Sequence, residues 1–241
     1  MNNYNPIVII PHYNHSATIG KVIEQVITFE LPVLVVDDGS SEEHKQRLAK
    51  LEKGNVSVVY CSQNGGKGAA VKIGLQEAFQ RGFSHAIQVD ADGQHQLSDV
   101  VVFLAKSREN PTALICGNPI YGDNAPKARL YGRKITTFWI AINTLSLDIK
   151  DGMCGFRLYP LAETVNIIGQ EHIGDRMDFD TEILVHCHWR KMPMIWVDTP
   201  VEYEVDGISH FQGWRDNWMI SKMHARLFFR MLWRLLSGKS V

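Results

Sequence analysis

The chain has 241 residues, 45% of them hydrophobic and 21% charged, with a net charge of −1. That much apolar material builds a large core without help from disulfides or a structural metal, and the near-zero charge argues against a dedicated nucleic-acid binder. The four cysteines, Cys61, Cys116, Cys154 and Cys187, form no Cys-x-x-Cys pair, which leaves zinc and redox motifs unsupported and fits a reducing compartment.

Ile7 to Ile10 is a wholly apolar run, the mark of a strand covered on both faces. A helix is expected from about Ala17 to Phe29, with Ser16 placed to cap it. Strand and helix then alternate: Val33 to Val36, Glu42 to Lys53, Val56 to Tyr60, Gly68 to Arg81, His85 to Val89, Ser98 to Ser107, and Leu114 to Cys116. This rhythm predicts an α/β fold, a parallel twisted sheet with helices on both faces and ligands at the carboxyl ends of its strands. Past Pro119 the rhythm changes. Tyr121 to Lys127 reads as a loop, and a long helix follows to about Leu147. Phe156 to Tyr159 is strand-like, Phe179 to His188 helical and Ile195 to Val197 strand-like, and a basic, aromatic helix runs from about Trp214 to Leu236. With no repeat or linker, residues 1–241 read as one domain with parts at 1–118, 119–212 and 213–241.

The N-terminus lacks a basic stretch followed by an apolar one, and no uncharged apolar run is long enough to span a bilayer, so neither a signal peptide nor a membrane-spanning helix is expected. On the last helix Lys222, Arg226, Arg230 and Arg234 recur every four residues and form one basic stripe. Ile220, Leu227, Phe228, Met231, Leu232, Leu235 and Leu236 fall largely on the other side. The helix is expected to lie on a membrane with the stripe against anionic headgroups, or to pack on the domain with the stripe in water. The first arrangement places the protein in the cytoplasm, peripheral on the inner face of the cytoplasmic membrane.

Three polar clusters follow buried strands: Pro11-His12-Tyr13-Asn14, Asp37-Asp38-Gly39-Ser40, and Asp90-Ala91-Asp92-Gly93-Gln94-His95. Two carboxylates at i and i+2 beyond a strand can converge on one hard cation, Mg²⁺ or Mn²⁺, leaving positions open for substrate phosphate oxygens. Asn64-Gly65-Gly66-Lys67-Gly68-Ala69-Ala70 stands just before a helix, where small residues let backbone amides approach a phosphate; a tight turn without a ligand is the other reading. It is neither a Walker loop, since Gly68 follows Lys67, nor a dinucleotide fingerprint, since no Gly-rich turn follows the first strand. Asp178, Asp180 and Glu182 sit at the start of a helix, where acids also serve to complement the dipole. His186 and His188 are two apart on a helix and cannot bind one ion together.

Taken in register, these motifs, continued by Gly152-Met153-Cys154-Gly155-Phe156-Arg157-Leu158-Tyr159 and Ser209-His210-Phe211, resemble those of family 2 glycosyltransferases, in particular the dolichyl-phosphate mannose synthase-like branch. The resemblance implies a GT-A, Rossmann-like fold and transfer of a sugar, with inversion, from a UDP- or GDP-sugar to a lipid-linked or glycolipid acceptor. It implies that Asp38 bonds the donor base, that Pro11, Tyr13 and Asp37 shape the nucleoside pocket, and that Gly39 and Lys67 serve the donor. Asp90, Asp92 and Gln94 would hold the metal, Arg129 and Arg133 would face phosphates, and Asp180 would be the general base for a hydroxyl acceptor. His15 stands where the family usually has Glu, so the resemblance does not carry over GDP-mannose as the donor. Two other classes remain at this point, a nucleotidyltransferase acting on a sugar phosphate and a non-catalytic nucleotide-binding protein of the same fold.

Overall fold

The computed structural model describes residues 4–122, 127–201 and 213–241, with the side chains of 127–129 and 213–215 left aside. One seven-stranded sheet forms the centre, in the order β3-β2-β1-β4-β6-β5-β7. Its strands are β1 (Pro6–His12), β2 (Val33–Asp37), β3 (Val56–Tyr60), β4 (His85–Gln88), β5 (Leu114–Tyr121), β6 (Arg157–Pro160) and β7 (Met194–Val201). The helices are α1 (Ile19–Val26), α2 (Glu42–Ala49), α3 (Lys67–Gln80), α4 (Val100–Glu109), α5 (Lys127–Thr144), α6 (Leu161–Gln170), α7 (Phe179–Trp189) and α8 (Gly213–Leu236).

Side-chain alternation along the buried strands divides the core in two. Ile7, Ile9, Leu34 and Val36 point to the face covered by α3, α6, α7 and α8. Val8, Ile10, Val33 and Val35 point to the other, covered by α1, α2 and α4. The chain leaves β1 for β2 and β3 on one side and returns as β4 on the other, so the crevice beyond the carboxyl ends of β1 and β4 is a topological switch point. The expected polar clusters all end there.

The sheet is mostly parallel, and the exception is β6, antiparallel to both β4 and β5. Helix α6 was not expected; it begins directly after Pro160, whose extended backbone serves as its N-cap. Ser16 caps nothing: Thr18 precedes α1, and the Ser16 hydroxyl instead meets His44 at 2.7 Å. α2 stops at Ala49, short of Lys53. α5 stops at Thr144, before Leu147, because Leu145 turns left-handed (φ 50°).

The largest departure concerns α8. Three of the four cations of its basic stripe are engaged within the fold. Arg226 makes a bidentate pair with the buried carboxylate of Glu182 on α7 (2.7 and 2.8 Å), Arg230 pairs with Glu171, and Arg234 donates to the Trp189 carbonyl (3.2 Å). Only Lys222 of the stripe stays exposed, over the Trp218 ring. Met223, Leu227 and Met231 enter the core. The outward face carries Trp218, Phe229, Leu232, Trp233, Leu235 and Leu236, and neighbouring α5 exposes Tyr131, Ile135 and Phe138. The helix thus has two apolar faces, and distant acids decide which cations turn inward. Among the described residues no helix is long and apolar enough to cross a membrane.

Candidate active site

The turns after β1 and β2 are stitched together. His12, fully buried, bonds Asp37 Oδ1 through Nδ1 (2.9 Å), while the His15 amide donates to its Nε2 (3.2 Å). With Nε2 accepting from the His15 amide, His12 donates to Asp37 through Nδ1. Asp37 also accepts from the Ser40 amide, and the Ser40 hydroxyl accepts from the Asn14 amide at 2.9 Å. Burial alone would raise the Asp37 carboxyl; the bonds from His12 and Ser40 outweigh it and hold Asp37 below its ordinary value. Asp37 therefore works beneath the pocket and does not line it. Gly39 does not line it either. Its φ is +70°, and a Cβ there would fall 2.5 Å from the backbone of Gln63.

Asp38 lines the cleft, but its carboxylate is already occupied by the Gly-rich loop. It accepts from the amides of Gly65 (2.8 Å) and Gly66 (2.7 Å) and from Asn64 Nδ2 (2.9 Å). Burial outweighs these bonds and leaves the group above its ordinary value. Any bond to a donor base is additional to these. Three amides of the loop are thus taken within the fold: two serve Asp38, and a third, from Ala69, donates to the Asp175 carbonyl (2.8 Å). Its glycines serve packing, since a Cβ on Gly68 would lie 2.5 Å from the Phe179 side chain.

At the end of β4, Lys67 from α3 bridges two acids, meeting Asp90 Oδ2 at 3.0 Å and Asp180 Oδ2 at 3.1 Å. Burial would push the ammonium down, but Asp180 and Asp90 outweigh it and hold Lys67 well above its usual range. Burial would likewise raise Asp90, yet Lys67 and His95 keep it firmly ionised. Gly155 makes this approach possible, because a Cβ there would lie 2.7 Å from Lys67 Nζ and 3.0 Å from Asp90 Oδ2. Asp92 accepts the Gln94 amide (3.1 Å). Asp90, Asp92, Gln94 and His95 together line a small polar cavity of about 70 Å³. Among the described residues no set of three or more His, Cys, Asp or Glu side chains is grouped for a metal. Two carboxylates and an amide oxygen still suit a hard cation that completes its shell with substrate phosphate and water, so the residues fit Mg²⁺ or Mn²⁺.

These features open into one cleft of about 1260 Å³. Pro11, Tyr13, Asp38, Lys67, Asp90, Asp92, Gln94 and Arg133 all line it, as the sequence led us to expect. Arg133 is held by Asp151 (2.9 and 2.7 Å), which also accepts the amides of Met153 and Cys154 and so shapes the turn before β6. Asp180 is not on the wall. It is 5% exposed, behind Lys67, with its backbone carbonyl accepting from the buried Arg157 (2.6 Å). The Arg129 side chain and Ser209-His210-Phe211 lie outside the described residues. Sequence reasoning missed Arg176, which lines the cleft beside Asn64 (3.4 Å) and sits in no recognisable motif. It also missed Asn217, Ser221 and His224 of α8, whose i, i+4, i+7 spacing beside the basic stripe was a usable signal.

Comparison with known proteins agrees with this architecture. The profile of "Glycosyl transferase family 2" matches residues 7–162. A dolichyl-phosphate beta-glucosyltransferase of Dictyostelium discoideum is 28% identical, over 98% of this chain and 80% of that protein. A UDP-N-acetylglucosamine–dolichyl-phosphate N-acetylglucosaminyltransferase of Methanococcus voltae is 22% identical, over 93% and 94% respectively. Among solved structures, glucosyl-3-phosphoglycerate synthase from Mycobacterium tuberculosis, in complex with phosphoglyceric acid, superimposes with a TM-score of 0.64 at 16% identity, covering 96% of this chain and 80% of that one. That likeness bears on the fold, which is the GT-A fold of glycosyltransferases. With the profile covering most of the sheet and every turn after β1, β2 and β4, the chain belongs to glycosyltransferase family 2.

Proposed function

We propose that this glycosyltransferase moves a sugar from a nucleotide-sugar donor to a polyprenyl phosphate, with inversion at the anomeric carbon and with Mg²⁺ or Mn²⁺. One observation carries the reading. The cleft is lined both by polar side chains of α3 and the strand-end turns, Asp38, Lys67, Asp90 and Asp92, and by Tyr131, Ile135, Trp139 and Ile220 of two helices, α5 and α8, with exposed apolar faces. An amphiphilic acceptor suits the second set and a nucleotide diphosphate the first. The names of the Dictyostelium and Methanococcus relatives, both acting on dolichyl phosphate, point the same way, and the second names a UDP-sugar.

Asp90, Asp92 and Gln94 would hold the cation, which when bound neutralises charge on the departing diphosphate. Lys67 keeps Asp90 ionised and in place. Asp38 holds the Gly-rich loop against the nucleotide side, and Arg133 and Arg176 supply positive charge along the wall. An oxygen of the acceptor phosphate attacks the anomeric carbon from the face opposite the diphosphate. The carbon–oxygen bond to the diphosphate breaks and the configuration inverts. Catalysis then rests on positioning and charge, with no covalent enzyme intermediate. A phosphate is already ionised at neutral pH, so no general base is required, in keeping with Asp180 lying behind Lys67.

The protein would sit peripherally on the cytoplasmic leaflet through the outward face of α8 and the exposed face of α5, apolar rather than electrostatic in character. The test incubates labelled UDP- and GDP-sugars with polyprenyl phosphate, with and without EDTA, and follows label into the organic phase. Label that enters the lipid only with free divalent metal supports the reading. Transfer that persists in excess EDTA removes the metal, and donor hydrolysis indifferent to lipid removes the acceptor. Flotation with neutral vesicles should recover the protein at high and low salt alike; binding confined to anionic vesicles at low salt would restore the basic stripe as the contact.

A further inference from the structure

His224 is 5% exposed, lines the cleft from α8, and its Nε2 has no hydrogen-bond partner among the described residues. Its other nitrogen, Nδ1, lies 3.3 Å from the side-chain amide of Asn143 on α5. With the Asn143 amide assigned so that Nδ2 donates to Nδ1, the ring proton resides on Nε2. The ring stacks on Trp139 of α5 (centroids 6.1 Å apart), which fixes its plane. Burial lowers its pKa to about 4, so the imidazole is neutral at physiological pH and offers one N–H donor without a charge. Met223 and Leu227, its neighbours on the helix, are core residues, while Asn217 and Ser221 continue the polar stripe along the same cleft wall.

A buried N–H without an acceptor costs stability, so the Nε2–H calls for a partner that enters the cleft. We infer that His224 Nε2–H seats a headgroup oxygen of the acceptor, a phosphate carried on an apolar chain, in the α5–α8 half of the cleft. The inference rests on the acceptor reading given above and adds to it a named specificity residue. Three features favour the acceptor over the donor. His224 belongs to α8 and packs on Asn143 and Trp139 of α5, whereas Asp38 and Asn64 belong to the turns after β2 and β3. Its neighbours there, Ile135, Trp139 and Ile220, are apolar and suit the first units of a lipid chain. The elements carrying them, α5 and α8, are those whose outward faces are exposed and apolar. The imidazole acts by orientation: it aims the phosphate, and positive charge in the cleft comes from Arg176.

The experiment measures binding of citronellyl phosphate, a short isoprenyl phosphate, by calorimetry with UDP or GDP present, for the wild type, His224→Phe and His224→Gln. Gln keeps an N–H at nearly the same reach. We expect about a tenfold loss in the Phe variant, the worth of one hydrogen bond, and recovery to within about threefold in the Gln variant, with nucleotide affinity unchanged in both. Inorganic phosphate should compete weakly; competition equal to that of citronellyl phosphate would remove the apolar chain from the proposal. Equal affinity in the wild type and the Phe variant would overturn the assignment, as would a wild type that binds nucleotide but not the probe. Loss of nucleotide binding in both variants would reduce His224 to packing. Probe binding through His224 without sugar transfer from any donor keeps this site and removes the transfer reading. Undiminished transfer in the Phe variant does the reverse.

Discussion

The two halves of the cleft are built on opposite terms. On the nucleotide side the polar groups bond one another within the same few turns, His12 to Asp37, Asp38 to Gly65 and Gly66, Lys67 to Asp90 and Asp180, and the buried His95 Nδ1 and Asp180 Oδ1, which lack a hydrogen-bond partner among the described residues, sit beside that network. On the α5–α8 side Asn143 Oδ1 and His224 Nε2 are buried without a hydrogen-bond partner among the described residues, and large apolar side chains face outward. The first half is preorganised and should act as a rigid template. The second is completed by what enters it or lies against it.

The sharpest way to break the contrast is at the carboxylates. Asp92→Asn should lower transfer roughly a hundredfold to a thousandfold, about 3–4 kcal/mol of transition-state stabilisation, with thermal stability nearly unchanged. A large drop in melting temperature instead would make Asp92 part of the scaffold. Next comes the inner seam of α8. Arg226→Ala strands the buried Glu182, and with Arg226 itself partly exposed the cost should be about 2–4 kcal/mol in denaturant unfolding. A change below roughly 0.5 kcal/mol would show that apolar contacts alone hold the helix.

Asp38→Ala removes the acceptor of three loop bonds and should weaken nucleotide binding by about 1.5–3 kcal/mol in calorimetry. Unchanged affinity would detach the Gly-rich loop from donor recognition. The smallest effect concerns pH. His224 has a folded pKa of about 4 against roughly 6.5 in an unfolded chain, so the unfolded state takes up the proton first. Stability should fall as pH drops from about 6.5 towards about 4, by on the order of 2 kcal/mol from this group. His224→Phe should flatten that part of the curve in thermal unfolding; parallel curves would place the sensitivity in other groups.

The same contrast explains what the sequence revealed. The nucleotide half was legible because each of its turns follows a short buried strand, and the apolar runs at Ile7, Val33 and His85 announce those strands locally. Local pattern could not reveal what the turn residues bond to. The amides of Gly65 and Gly66 looked available for phosphate until Asp38, far away in sequence, was seen to accept them. An apolar run is also blind to strand direction, so Phe156 to Tyr159 was readable as a strand but not as the antiparallel β6. On α8 both faces are apolar, and Glu171 and Glu182 select the inner one from a different part of the chain.

The spacing of α8 carries one more consequence. Its cations recur every four residues, and so do Met219, Met223, Leu227, Met231 and Leu235. Displacing the helix by four residues, about 6 Å along its axis, would carry Arg230 to Glu182 and Arg234 to Glu171 while hydrocarbon replaced hydrocarbon in the core. The two buried ion pairs and the apolar core contacts therefore do not by themselves tell one setting from the next. His224 breaks the repeat, because such a slip would bring Phe228 or Ile220 against Asn143. A single buried polar pair fixes the helix at one address, as a lone asparagine fixes the alignment of a coiled coil.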